Sequence, residues 1–160
     1  MPKQHRFCII PASILLAMMF FCACGKNSDS PPDAPNSFTW QLMGATYTAN
    51  QDTAFTSGLG MQPFVIYAGR GTNYLTFNSR FYFFLSSFNP GTYPLTVGIS
   101  GPNHFQYTHE DGFTWGGGNG TFTITSNSNG KMSGSFSASM TGPPGTQTVT
   151  GSFTNMPVKP

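Results

Sequence analysis

Between Lys131 and Thr141 the side chains alternate without a break. Met132, Gly134, Phe136, Ala138 and Met140 fall on one side, and Ser133, Ser135, Ser137, Ser139 and Thr141 on the other. A period of two with one apolar face specifies a half-buried antiparallel strand and excludes a helix, whose faces recur every 3.6 residues. A Gly-(Ser/Thr)-Phe-(Ser/Thr) phrase occurs here and on both sides, at Gly120-Thr121-Phe122-Thr123, Gly134-Ser135-Phe136-Ser137 and Gly151-Ser152-Phe153-Thr154. Phe122, Ile124, Val149 and Phe153 continue the apolar face on the neighbouring segments. The Asn129-Gly130 pair supplies the positive φ that a tight hairpin turn needs. A three-stranded meander is therefore expected in the C-terminal third, with Phe136 in the core and Ser135 facing solvent.

The rest of the chain from residue 38 reads the same way. No window sustains an apolar 3.6-residue period, and Gly, Pro, Thr and Asn recur too often for helix. Strands are expected over 38–43, 45–49, 64–68, 74–78, 80–85, 93–97, 104–109, 120–126, 131–141 and 147–155, separated by turn residues such as Asn89-Pro90-Gly91 and Gly116-Gly117-Gly118. Sheets with one apolar face must cover each other. The expected fold of residues 38–160 is all-β: a single antiparallel β-sandwich, with a flattened lipocalin-like β-barrel as the alternative.

Residues 1–37 differ in kind. A basic head (Lys3, His5, Arg6) precedes an apolar run over 7–23, which is the length of a secretory core segment. Pro11 and its shortness make it a poor membrane span. The run ends Phe21-Cys22-Ala23-Cys24-Gly25, which resembles the lipobox of bacterial lipoproteins. The resemblance implies a signal peptide over 1–23, cleavage after Ala23, and lipid modification of Cys24 as the new N-terminus. Residues 24–37 then form the lipidated end and a flexible tether rich in Pro, Ser, Asp and Asn. Without the signal only Cys24 remains of the three cysteines, so a disulfide within the chain and a Cys-ligated zinc site are both excluded.

Charged residues make up only 8% of the chain, against about a quarter in an ordinary soluble domain. Beyond the signal, Lys26, Arg70, Arg80, Lys131 and Lys159 balance Asp29, Asp33, Asp52, Glu110 and Asp111. With no basic patch to neutralise phosphates, nucleic acid is excluded as a partner.

Three stretches together resemble a group of uncharacterised β-sandwich lipoprotein domains of Bacteroidota. They are Phe38-Thr39-Trp40 with Gly44-Ala45-Thr46-Tyr47-Thr48-Ala49, the central Pro90-Gly91-Thr92-Tyr93-Pro94-Leu95, and the closing Gly-Ser/Thr-Phe phrases. The resemblance implies fold and a place in the bacterial cell envelope, lipid-anchored to a membrane. The outer membrane is the expected one, and the face is left open. It carries no activity and no site residues.

Catalytic chemistry finds little to work with. His104 and His109 are five apart and so face opposite ways on a strand, which argues against a shared metal. A glycosidase needs two carboxyl groups roughly 5–9 Å apart, and only Asp52 with Glu110 or Asp111 could supply them. No Gly-x-Ser-x-Gly elbow occurs. No enzymatic activity, cofactor or metal is therefore expected.

Aromatic residues remain. The segment Arg80-Phe81-Tyr82-Phe83-Phe84-Leu85 is apolar on both faces, as in a central strand covered on both sides or lining a pocket. Trp115 stands between Gly112 and three consecutive glycines, on what reads as a mobile loop, with Tyr107 and His109 nearby. Trp115, Tyr107 and His109 are the candidate ligand-binding residues of a non-catalytic module for glycan or peptide. That reading requires Trp115 to be exposed beside a groove. A buried Trp115 favours the second reading, a structural or accessory envelope lipoprotein acting through protein partners.

Overall fold

The computed structural model describes residues 34–57, 64–71, 77–98 and 101–160. The expected signal segment, Cys24 and most of the tether lie outside the described residues, as does most of the strand expected over 74–78. Every described element is a strand: β1 Ser37–Leu42, β2 Ala45–Thr48, β3 Gln51–Thr56, β4 Phe64–Gly71, β5 Phe77–Leu85, β6 Gly91–Leu95, β7 His104–Thr108, β8 Thr114–Ser128, β9 Lys131–Gly142 and β10 Gly145–Lys159. The meander β8–β9–β10 is present, and its first hairpin turns at Asn129 (φ 54°) and Gly130 (φ 70°) as the sequence demands.

The strands close on themselves. From β10 the hydrogen bonding runs through β9, β8, β7, β5, β4 and β3 and back to β10, a barrel of seven strands. The β1–β2 hairpin and β6 are added outside this ring, along β10 and β8. The all-β expectation holds, and the closed ring fits the flattened lipocalin-like alternative without establishing a sandwich. One pairing departs from the antiparallel expectation. β3 joins β10 in parallel, through Val158 opposite Ala54 and Lys159 opposite Phe55.

Closure depends on the two longest strands dividing an edge between neighbours. Along β10, residues 149–154 pair with β1 and residues 158–159 with β3. Along β8, residues 114–116 pair with β7 and residues 120–124 with β6. Bulges make these changes of partner possible, because an extra residue bends a strand and raises its local twist. The register shifts between Gly117 and Gly120, between Ile124 and Ser126, and between Phe153 and Met156.

Aromatic side chains fill the interior from wall to wall. Phe81 and Phe83 of β5 meet Phe136 of β9 with ring centroids 5.5 and 4.8 Å apart. Phe83 lies 4.7 Å from Phe122, and Trp40 of β1 stands edge-on to Phe81 at 5.4 Å. Such pairs contribute about 0.5–1.5 kcal/mol each beyond the area they bury. The register explains the repeated phrase. Gly151 sits opposite Phe136, and Gly134 sits opposite Phe153. A Cβ at Gly151 would run into the Phe136 ring, and one at Gly134 into the Phe153 ring and the Thr123 carbonyl. Each glycine makes room for the phenylalanine of the next strand.

Candidate functional site

The three aromatic residues singled out by sequence do meet, but not at the surface. Tyr107 of β7 lies directly across from Trp115 of β8, and His109 follows at the end of β7. Ring centroids are 6.3 Å apart for Tyr107–Trp115, 5.6 Å for His109–Trp115 and 5.8 Å for Tyr107–His109. The Tyr107 hydroxyl and His109 Nδ1 are hydrogen-bonded at 3.1 Å. Trp115 is 1% exposed and Tyr107 is fully buried, while His109 is half-buried. The expectation of an exposed Trp115 on a mobile loop is thus overturned.

The physical reason lies in the glycines. Gly116, Gly117 and Gly118 continue strand β8 and do not form a loop. A Cβ at Gly117 would strike the Phe105 backbone, and one at Gly118 would strike Ser139. They are strand positions where neighbouring chain comes too close for a side chain. Gly142 likewise leaves its space to the indole of Trp115. Burial pushes the Tyr107 hydroxyl up to about 12, against the opposing pull of the Trp40 indole and the Ser79 hydroxyl beside it. Neither of those two groups, nor the Trp115 indole N–H, completes a hydrogen bond of good geometry among the described residues. This end of the core therefore carries enclosed polar atoms that cost stability.

The carboxylates are spread out. Asp52 belongs to β3, whereas Glu110 and Asp111 occupy the β7–β8 turn, with β4 and β5 lying between β3 and β7 in the sheet. Asp111 is engaged locally, accepting from the Phe113 amide at 2.9 Å. His104 packs on Phe84 at 4.7 Å with its Nδ1 3.1 Å from the Gly101 carbonyl oxygen. Among the described residues, no three His, Cys, Asp or Glu side chains form a metal-binding group.

Asp52 has a titration consequence. Desolvation raises its pKa, and the hydrogen bond donated by Asn36 Nδ2 at 3.0 Å pulls the other way without cancelling it. A carboxyl that holds its proton more tightly folded than unfolded destabilises the fold while charged, so its penalty fades as pH falls through the raised pKa. Asp52→Asn should therefore stabilise the protein at pH 7, by less than about 1 kcal/mol because the group is only half-buried. The gain should shrink toward about pH 4. Thermal melts of both proteins at the two pH values check this; a less stable Asn variant at pH 7 would contradict it.

A second aromatic surface lies on the outside of the barrel. In β5, Phe81, Phe83 and Leu85 point inward, so Tyr82 and Phe84 point out. The register aligns Phe55, Val65, Phe84 and His104 in one row across β3, β4, β5 and β7, and Thr53, Tyr67, Tyr82 and Gln106 in the next. Tyr67 and Tyr82 are 5.2 Å apart and Tyr82 and Phe84 6.5 Å. Phe55, Tyr67, Tyr82 and Phe84 are half-buried, whereas Val65 and His104 in the same row are buried. Sequence reasoning saw a segment apolar on both faces without seeing that one face was the outer wall. The opposite wall, β8–β9–β10, presents Ser and Thr. Beside it, Thr39, Gln41, Thr46, Thr150 and Ser152 line a shallow recess of about 250 Å³.

Comparison with known proteins found no matching family model, no matching curated protein and no matching solved structure.

Proposed function

We propose that this chain is a non-catalytic accessory lipoprotein of the bacterial cell envelope, anchored through Cys24 and acting on a protein partner with the outer wall of β3–β4–β5–β7. One observation supports the reading: two adjacent outward rows of that wall carry half-buried Phe55, Tyr67, Tyr82 and Phe84 beside the enclosed Val65 and His104. Outward positions of small barrels are ordinarily polar, and contiguous outward aromatics mark interaction surfaces. Tyrosine suits such a surface, since it offers a large rigid area with a polar tip. The burial of Trp115 supports the same choice over an aromatic ligand platform at the barrel end. The lipobox-like Ala23-Cys24 and the Pro/Ser-rich residues that follow support the anchor.

Site-specific photocrosslinking in intact cells tests both parts. A photoreactive phenylalanine analogue at position 82 should give a discrete adduct with an envelope protein, and one at position 135 on the hydroxyl wall should not. With Cys24→Ala the protein should move to the soluble fraction or stay unprocessed, and the adduct should fall sharply. Equal adducts at both positions, or an adduct at 135 alone, would overturn the surface assignment. Retention on membranes after high-salt washing of the Cys24→Ala variant would overturn the anchor.

A further inference from the structure

We infer, on the reading of the outer aromatic wall as the working surface, that residues 34–36 are a strap holding the β3 edge of that wall against β10. Through the strap, the segment that leads to Cys24 governs how the wall is presented.

The ring is weakest where β3 closes on β10. Two residue pairs join them there, the fewest at any junction of the ring, and the Thr53 hydroxyl adds a bond to the Pro157 carbonyl at 3.2 Å. Along the same edge β10 pairs with β1 up to Thr154 and with β3 only from Val158. Among the described residues, no strand covers the interval 155–157. The start of the domain does. Ser37 is the last rung of β1, opposite Thr154. Just before it, Asn36 donates from Nδ2 to Asp52 Oδ1 of β3 at 3.0 Å, and the Ala34 carbonyl accepts from Asn155 Nδ2 of β10 at 2.6 Å. Three consecutive residues are thereby bonded to both sides of the seam.

The bulge in β10 aims Asn155 for this contact. The register shift between Phe153 and Met156 takes Asn155 out of the β9–β10 ladder, and its backbone amide donates to Ser133 Oγ at 3.0 Å. Asn155 stands at φ 51°, a conformation that asparagine tolerates better than most residues. Bulges re-aim side chains in this way. The ends of domains ordinarily fray unless they are tied down, and here the tie falls on the thinnest junction of the ring. Local opening starts where pairing is sparse. Opening at this seam frees one side of β3 and displaces Phe55 from the outward row it shares with Val65, Phe84 and His104. Cys24 lies ten positions before Ala34. A pull on a lipid at Cys24 therefore reaches the strap before any rung of the sheet.

Hydrogen exchange of the full chain in neutral detergent reads the seam. Asn36→Ala and Asn155→Gly each remove one strap bond, and glycine keeps the positive φ at 155. Each should speed exchange of residues 51–56 and 158–159 about fivefold, as loss of one hydrogen bond does. Residues 131–141 of β9 should keep the parent rate. Asp52→Asn retains an acceptor for Asn36 and should not speed the seam. Unchanged seam exchange in the Asn36→Ala, Asn155→Gly double variant, or an equal rise in β9, overturns the strap. The photocrosslink at position 82 then reads the coupling. In the double variant it should fall several-fold while the protein, with Cys24 intact, stays on the membrane. An undiminished adduct overturns control of the wall by the strap. If the parent protein gives no adduct at position 82, the wall reading fails and the coupling with it, and exchange alone decides the strap.

Discussion

Phe136→Ala should lower the unfolding free energy by about 3–5 kcal/mol, and Ser135→Ala should change it by less than about 0.5 kcal/mol. Adjacent residues of one strand thus differ roughly tenfold in effect. Phe136 is buried and its ring meets those of Phe38, Phe81, Phe83 and Phe122, with centroids 4.8–6.1 Å away. Those rings come from three other strands of a hydrogen-bonded assembly, so the walls cannot move in to refill the space. Opposite it, Gly151 contributes no side chain that could swing into the gap. The cavity term is therefore retained nearly in full. Ser135 faces away from the core and loses only solvated contacts. Urea unfolding of both variants checks the pair, and equal losses would mean that the register is wrong.

Trp115→Ala should be comparably damaging, at about 3–5 kcal/mol, whereas Trp115→Phe should cost much less. The indole fills the end of the barrel against Tyr107 and His109 and uses the space left by Gly142. Truncating it opens that end of the core. Phenylalanine keeps most of the apolar contact and removes an enclosed N–H that has no acceptor among the described residues. A tryptophan acting as a surface platform would show the reverse pattern: stability indifferent to both substitutions, and ligand binding lost with either. Denaturant melts of the two variants separate these cases.

These residues also show what a sequence of this kind makes legible. The alternation over 131–141 reads directly as β9, because packing one face against a core forces a period of two. The Gly-x-Phe phrase was visible as a repeat, but its cause is cross-strand: the glycine of one copy makes room for the phenylalanine of another. Trp115 was misplaced because the bulge between Gly117 and Gly120 switches the inward parity within β8. Trp115 points inward at an odd position, and Phe122 and Ile124 at even ones. A bulge hides the period on which strand reading depends, and the three glycines completed the likeness to a loop. Strand β3 escaped notice because Gln51–Thr56 contributes one fully buried residue, Ala54. Closure of the barrel rests on two residue pairs between β3 and β10, far apart in sequence and without pattern. The outer aromatic wall was half legible. Tyr82 and Phe84 were recognised as apolar, but their alignment with Val65, Tyr67 and His104 exists only once register is known.

The barrel interior is filled by its own aromatic residues, and the proposal of an outer working surface rests on that filling. The chain contains two tryptophans, Trp40 and Trp115, and both are enclosed in that interior. Acrylamide quenching of the native protein measures their accessibility directly. Emission well to the blue of free tryptophan, with weak quenching by a single inaccessible population, is the predicted result. A two-component quenching curve in which about half the emission is readily quenched would place one indole in solvent and contradict the account.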